Sequence, residues 1–192
     1  GVQSTNPLTI EKIDRKTNFD KIASNVRKLK RTGNIHLHLD IITRLPEESY
    51  SFFEKSFNDV FALSPHMIQL GFLKLLKGSK IRRQAQQYQY RYTNRPPYEV
   101  LSNNVMSYSD ILKLKGIEDV LEKYYNSGAF EKSLAFILKC FYSSPFKFFE
   151  QLAGYFEHQG LDRRSHSRKA LYDILYEFYA EVIGEKVNIF TQ

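Results

Sequence analysis

Two histidines and an aspartate, His36, His38 and Asp40, alternate through the stretch Asn34–Glu48, NIHLHLDIITRLPEE. Strand side chains alternate from face to face, so these three titratable groups share one side while Ile35, Leu37, Leu39 and Ile41 share the other. Two histidines at i and i+2 of a strand can reach one metal ion, but such a site takes three or four ligands. The remaining histidines, His66, His158 and His166, form no second cluster in the sequence, and the last two fall in helical stretches. No metal site is therefore assigned. Two readings stay open for His36 and His38: polar residues that line a lumen and touch substrate or cofactor, or side chains merely satisfied by hydrogen bonds.

Other chemistries lack their residues. There is no G-x-S-x-G, no G-x-G-x-x-G and no phosphate-binding P-loop. The single cysteine, Cys140, sits in the apolar run SLAFILKCFY, which predicts a buried structural thiol and excludes a disulfide framework. A lone cysteine also favours a cytoplasmic setting. Basic residues concentrate in RKLKR (Arg27–Arg31) and KIRRQAQQYQYRY (Lys80–Tyr92), and residues 1–95 hold 17 Lys and Arg against 8 Asp and Glu. Basic residues interleaved with Tyr suit single-stranded nucleic acid. With no nucleic-acid module around them, both runs read instead as solvated helix faces.

The elements that must position the His-x-His-x-Asp strand follow from periodicity. Asn18–Arg31 predicts a helix with Phe19, Ile22, Ala23, Val26 and Leu29 on one face, a Thr17–Asp20 capping box, and Gly33 as its stop. The strand His36–Thr43 follows. A Leu-Pro turn then opens a helix over Glu48–Leu63, which buries Phe52, Phe53, Phe57, Val60 and Phe61 and carries two acids in its first turn. Ser64-Pro65 breaks that helix before a second buried strand, His66–Leu73. Helix, strand, helix, strand implies crossovers and a parallel sheet. A polar short helix, an extended stretch at Tyr88–Tyr92 and an extended Pro96-Pro97 link come next. Helices are then predicted over Ser109–Asn126, Lys132–Tyr142, Phe146–Gln159 and Arg168–Ile183, with Gly128, Gly160 and Gly184 as stops.

The expected fold is helix-rich α/β: the last strands of a (β/α) barrel of the TIM type, followed by an all-α C-terminal domain. Its parts are a barrel portion over 1–77, a linker over 78–108 and a helical domain over 109–192. The 192 residues suffice for a core, and no apolar run approaches the roughly 20 residues that span a bilayer. The chain opens on Gly1 inside what reads as the end of a strand, for which an excised fragment is the simplest account.

A family resemblance adds to this reading. Gly1-Val2-Gln3-Ser4, with Asn6-Pro7, Ile13 and Arg15, resembles the fourth-strand region of radical S-adenosylmethionine (SAM) enzymes. The run Asp40–Glu48, DIITRLPEE, resembles their fifth strand, where an acidic residue and apolar residues lead into Gly-Leu-Pro and then Gly-Glu. With HMIQLGFLKLLKGS, the Pro-Pro-Tyr-Glu-Val segment and the YYNSGAF turn, nearly the whole chain is similar to one subgroup of Fe–S oxidoreductase type. That subgroup has an N-terminal cobalamin-binding domain, a radical SAM barrel and a C-terminal helical domain of unknown function. Arg44 and Glu47 replace the two glycines of the fifth-strand turn, so backbone approach there is expected to differ. The CxxxCxxC that supplies three thiolates to a [4Fe–4S] cluster is absent, and Cys140 cannot replace it.

The resemblance implies the C-terminal fragment of an enzyme that uses SAM, a [4Fe–4S] cluster and, in the subgroup, cobalamin, with none of these held by this chain alone. It implies that Gln3, Arg15 and Asp40 hold SAM. Arg15 would meet the carboxylate, Asp40 the ribose hydroxyls and Gln3 the same rim, with the backbone of Leu70–Phe72 along the adenine. The competing reading makes Arg15 a surface residue and Asp40 a cap on the Leu-Pro turn. The partner expected first is the missing N-terminal half, and unpaired sheet edges predict a two-fold homodimer. The alternative function, from another class, is a helical module that binds protein or nucleic acid.

Overall fold

The computed structural model describes residues 1–162 and 164–184. The alternation around Asp40 is present. Strand β1 (His38–Thr43) buries Leu39, Ile41 and Thr43 and leaves His38, Asp40 and Ile42 on its more open face. It pairs in parallel with β2 (Met67–Phe72), in register from His38 opposite Met67 to Thr43 opposite Phe72. On its other side Gln3 bridges Ile41 in parallel: the Gln3 N–H donates to the Asp40 carbonyl at 2.8 Å, and the Gln3 carbonyl accepts from the Ile42 N–H at 2.8 Å. Strand β1 thus lies between Gln3 and β2. Among the described residues the architecture is helix-rich α/β, with eight α-helices, two small two-stranded sheets and no closed barrel.

Helices α1 (Pro7–Lys12), α2 (Phe19–Thr32) and α3 (Tyr50–Phe61) alternate with these strands. Their caps correct the expected boundaries. Asn18, not a Thr17–Asp20 box, caps α2 by accepting from the Lys21 N–H, and Gly33 closes it at φ 70°. Ser49 caps α3, so Glu48 lies outside the helix and no acid stands in its first turn. Phe53, Phe57 and Val60 are buried as expected, but Phe52 is 49% exposed because it falls off the core-facing stripe. Ile35, read as part of the buried set, is 40% exposed because the strand begins only at His38.

Helix α4 (Lys80–Arg83) is a single turn, and an antiparallel hairpin of β3 (Arg91–Tyr92) and β4 (Val100–Ser102) follows it. Residues 93–99 form the loop of that hairpin rather than an extended link, and the Pro96–Pro97 peptide is cis. Leu75, Tyr88, Tyr90 and Val100 make a small separate core beneath it.

The remaining helices are α5 (Tyr108–Leu121), α6 (Glu131–Phe141), α7 (Pro145–His158) and α8 (Arg168–Phe178). Ser107 and Asp110 form a capping box at the start of α5. A π-helical turn, Glu122–Asn126, continues α5, and another, Tyr179–Ile183, continues α8. Gly128 and Gly160 take left-handed conformations past their helices, whereas Gly184 stays right-handed at φ −60° and stops nothing. Cys140 is exposed on α6, correcting the expected burial, because the apolar stripe of that helix passes through Leu134 and Ile137 instead.

The main core joins α3 to α7. Phe146 meets Phe53 and Phe57 edge-on at ring distances of 6.3 and 5.5 Å, and Phe149 meets Phe57 at 5.9 Å. Such pairs add about 0.5–1.5 kcal/mol each beyond the area they bury. Among the described residues no helix is long and apolar enough to cross a membrane.

Candidate functional site

The single ladder step between Gln3 and β1 sets the side chains at the edge of the open face. Gln3 is held at φ 71° and is nearly buried. Its amide and the Asp40 carboxylate converge beside Gly1: a Cβ on Gly1 would fall 2.1 Å from Gln3 Nε2 and 2.8 Å from Asp40 Oδ2. Both atoms are side-chain tips, so a larger residue at this position would displace the pair rather than the backbone. The Asp40 side chain remains 41% exposed, free to accept further hydrogen bonds from this rim.

Arg15 is not brought to that pair. It is exposed and lines a cavity of about 420 Å³ with Ser4, Thr5, Ile10, Asn18 and Phe19. Its guanidinium has no hydrogen bond or ion pair among the described residues, while its backbone N–H donates to the Ile10 carbonyl at 3.0 Å. Ser4 joins the two places, since it follows Gln3 in the chain and faces the Arg15 cavity.

What fixes Ser4 is a residue first read as a helix-dipole acid. Glu48 is fully buried and accepts three hydroxyl protons, from Ser4 at 2.8 Å, Thr9 at 2.9 Å and Ser56 at 2.9 Å. Burial raises its pKa above the ordinary carboxylate range, and the hydroxyls, led by Ser4, pull it back down. The Ser4 hydroxyl also accepts from the Asn6 N–H at 2.9 Å, and the Asn6 amide donates to the Glu47 carbonyl at 3.1 Å. One carboxylate thereby ties residues 4–9 to α3. The clue in the sequence was Ser4 and Thr9 near one end of the chain and a Glu-Glu pair after Pro46, with no local signal linking them.

Arg44 follows β1 directly. It is fully buried in the left-handed region at φ 68°, and Glu47 lies at φ 61°. Both occupy turn positions where the resembled family carries glycine, at a cost of about 1–2 kcal/mol per side-chain-bearing residue. The Arg44 carbonyl accepts from the Tyr90 hydroxyl at 2.7 Å. Its guanidinium lies 5.2 Å over the Phe72 ring, and none of its three nitrogens has a hydrogen-bond partner among the described residues. The nearest counter-charge, Glu99, stands 3.7 Å from Nη2, too far for a hydrogen bond, and is held by Lys115 at 2.6 Å. Burial lowers the Arg44 pKa to about 10 despite the opposing pull of Glu99.

The histidines gather at the other end of β1. His36 Nδ1 and His38 Nε2 are 2.7 Å apart, and His66 stacks on His36 with ring centres 4.6 Å apart. The Leu37 N–H donates to His66 Nδ1 at 2.9 Å. His66 joins the cluster because it precedes β2 as Leu37 precedes β1, a juxtaposition that only the strand register reveals. Among the described residues no group of three or more His, Cys, Asp or Glu is arranged to hold a metal ion. His38 and Met67 border a second cavity, about 300 Å³, closed by Glu118, Glu122 and Asn126. Asn126 meets β2 squarely: its Nδ2 donates to the Ile68 carbonyl at 3.0 Å and its Oδ1 accepts from the Ile68 N–H at 3.0 Å.

Tyr90, Glu99, Lys115 and Asn126, which clasp this parallel unit, all fall within one stretch that a family model covers. The family is described as a protein of unknown function (DUF4080), and its model matches residues 86–192. The chain belongs to the DUF4080 family. No curated protein matches it. The DUF4080 region is also tied to α3, through the Tyr50 hydroxyl donating to Glu150 at 2.6 Å and the Phe146 N–H donating to Asn58 at 3.0 Å.

Of the implied cofactors, the residues present do not fit an iron–sulfur cluster. The chain holds one cysteine, and it is exposed on α6, remote in sequence from the Gln3–Asp40 rim. Gln3 and Asp40, an amide and a carboxylate converging on one open edge, do suit the hydroxyls and amine of a nucleoside or amino-acid moiety.

Proposed function

We propose that this DUF4080 chain is the C-terminal portion of a radical SAM enzyme of Fe–S oxidoreductase type, supplying part of the wall that holds SAM and substrate. The observation that carries this is the convergence of Gln3 and Asp40 across a parallel ladder in the order Gln3, β1, β2. Three further features support it. The open sheet face carries His38, Asp40 and Gln69, as a barrel lumen would. The family match over 86–192 falls where the resembled subgroup carries its helical domain of unknown function. Asn126 closes the outer edge of β2, as the last strand of an open, partial barrel requires.

In this reading Gln3 and Asp40 orient the nucleoside, Arg15 pairs with the amino-acid carboxylate by way of its cavity beside Ser4, and Glu48 keeps Ser4 and Gln3 in place. The cluster would be held by another part of the polypeptide and would supply the one-electron chemistry, while the residues of this chain bind and orient SAM. Cobalamin belongs to the same reading of the parent, as do a cytoplasmic setting and the missing N-terminal half as partner.

The test is the reading frame upstream of Gly1, followed by anaerobic reconstitution. An in-frame CxxxCxxC about a hundred residues earlier, the length of three strand–helix units, is expected. The longer protein should then take up a cluster and cleave SAM, while this chain alone does neither. A frame that opens close to Gly1, or a stoichiometric cluster on this chain, overturns the proposal.

A further inference from the structure

From Val60 to Tyr98 the chain contains no Asp or Glu and seven Lys or Arg. The solvated helix face expected for this run does not exist, because α4 spans only Lys80–Arg83 and the rest is turn and hairpin around a small core of its own. The charges are therefore displayed on a compact loop-and-hairpin unit. By contrast, the other basic run, Arg27–Arg31, is the exposed face of α2 that the sequence predicts.

The charge of this unit is largely uncompensated. Lys80 pairs with Asp14, but Lys74, Lys77, Arg82, Arg83, Arg91 and Arg95 meet no carboxylate among the described residues. Glu99, the first acid after Asp59, is committed to Lys115 and Arg44. Arg82 lies between the Tyr92 and Tyr98 rings, at 5.0 and 5.2 Å from their centres, while its Nη1 donates to the Leu75 carbonyl at 2.8 Å. Arg83 is likewise aimed by its hydrogen bond to the Gly78 carbonyl at 2.8 Å. These contacts fix the guanidinium groups without neutralising them.

We infer that residues 74–98 form a binding surface for single-stranded nucleic acid. Four of the seven cations are arginines, whose forked donors match phosphate. Gln86, Gln87 and Gln89 are exposed beside them and offer the paired donor and acceptor that base edges require. The partly open Tyr92 and Tyr98 supply ring surface next to Arg82. A membrane fits less well, since Leu76 is the one large apolar side chain exposed in the unit among the described residues. The Lys80–Asp14 ion pair sets the unit against the residue preceding Arg15, which itself lines the 420 Å³ cavity. The inference stands without the SAM reading.

The test is fluorescence anisotropy of this chain with a short labelled oligouridylate and with its oligothymidylate counterpart, across a salt series. Binding is expected with a slope of log affinity against log salt of about −4, six phosphates at roughly −0.7 each. The triple variant Lys77→Ala, Arg91→Ala, Arg95→Ala, all exposed positions, should bind at least about tenfold more weakly and flatten the slope by about 2. If that variant does not fold by circular dichroism, Arg91→Gln and Arg95→Gln singly should each lower the slope by about 0.7. The α2 variant Arg27→Ala, Lys28→Ala, Arg31→Ala should leave the slope in place. Binding of either oligonucleotide supports the proposal, since both present the same single-stranded phosphate charge. It is overturned by no binding at low salt, by loss only in the α2 variant, or by capture on phosphatidylglycerol vesicles with no binding to either oligonucleotide.

Discussion

The side chain of Asn126 reproduces a strand for Ile68, giving one hydrogen bond to its carbonyl and taking one from its N–H, both at 3.0 Å. The outer edge of β2 is thus closed by the DUF4080 region, at the position where another strand would pair. A two-fold association through the edge of β2 would have to displace this contact. Asn126→Ala should cost about 1–3 kcal/mol, since it orphans two backbone groups. Chemical denaturation measures the loss, and sedimentation velocity should show more self-association in the variant than in the parent chain. Equal stability and equal sedimentation would contradict the edge-closing role.

Glu48 gives the protein a pH dependence with a definite sign. Its folded-state pKa is raised by burial, so the native state binds a proton more readily than the unfolded chain. The stability it supports is present below the ordinary carboxylate range and is lost as pH rises through the elevated value. Glu48→Gln keeps the acceptor for Ser4 and Thr9 and removes the charge, so its stability should change less across that window than that of the parent. Glu48→Ala empties the hub and should cost about 2–4 kcal/mol below that window and less above it. Denaturant melts at a series of pH values decide both.

Arg44 and Glu99 should prove strongly coupled. Glu99→Gln leaves the buried guanidinium without the nearest counter-charge among the described residues and should cost about 2–4 kcal/mol. Arg44→Gln removes the need for that charge, and in its background Glu99→Gln should be much milder. A double-mutant cycle with near-zero interaction energy would show that Lys115 alone satisfies Glu99.

In a longer parent that binds SAM, Gln3→Ala and Asp40→Ala should be non-additive, because the two side chains converge beside Gly1. Arg15→Ala should add independently to either, because Arg15 lines a separate cavity. Isothermal titration with SAM measures all three. Wild-type affinity in Arg15→Ala and Asp40→Ala together would remove both residues from the site.

What the sequence made legible is what depends on short-range order. The period-two alternation of 38–43, the left-handed stop at Gly33 and the Phe53–Phe57–Val60 stripe of α3 all follow from spacing alone. Contacts that join distant segments were not legible. Nothing local marks Glu48 as the partner of Ser4, Thr9 and Ser56, because an acid after Leu-Pro equally suits a helix start. His66 reached His36 through strand register, and the burial of Arg44 through a hairpin many residues away. Cys140 misled for the opposite reason. Its neighbours are apolar, but a helix buries a stripe and not a stretch, and Cys140 lies off the stripe.

The π-helical turn at Glu122–Asn126 carries one residue more than an α-helical path between the same points needs. Were the same residues wound as regular α-helix, the extra one would carry everything beyond by about 100° around the helix axis. Asn126 would then face away from Ile68, and α6 would leave the core at a different angle. The widened winding at this one place sets the angular phase between the parallel strands and the rest of the DUF4080 region.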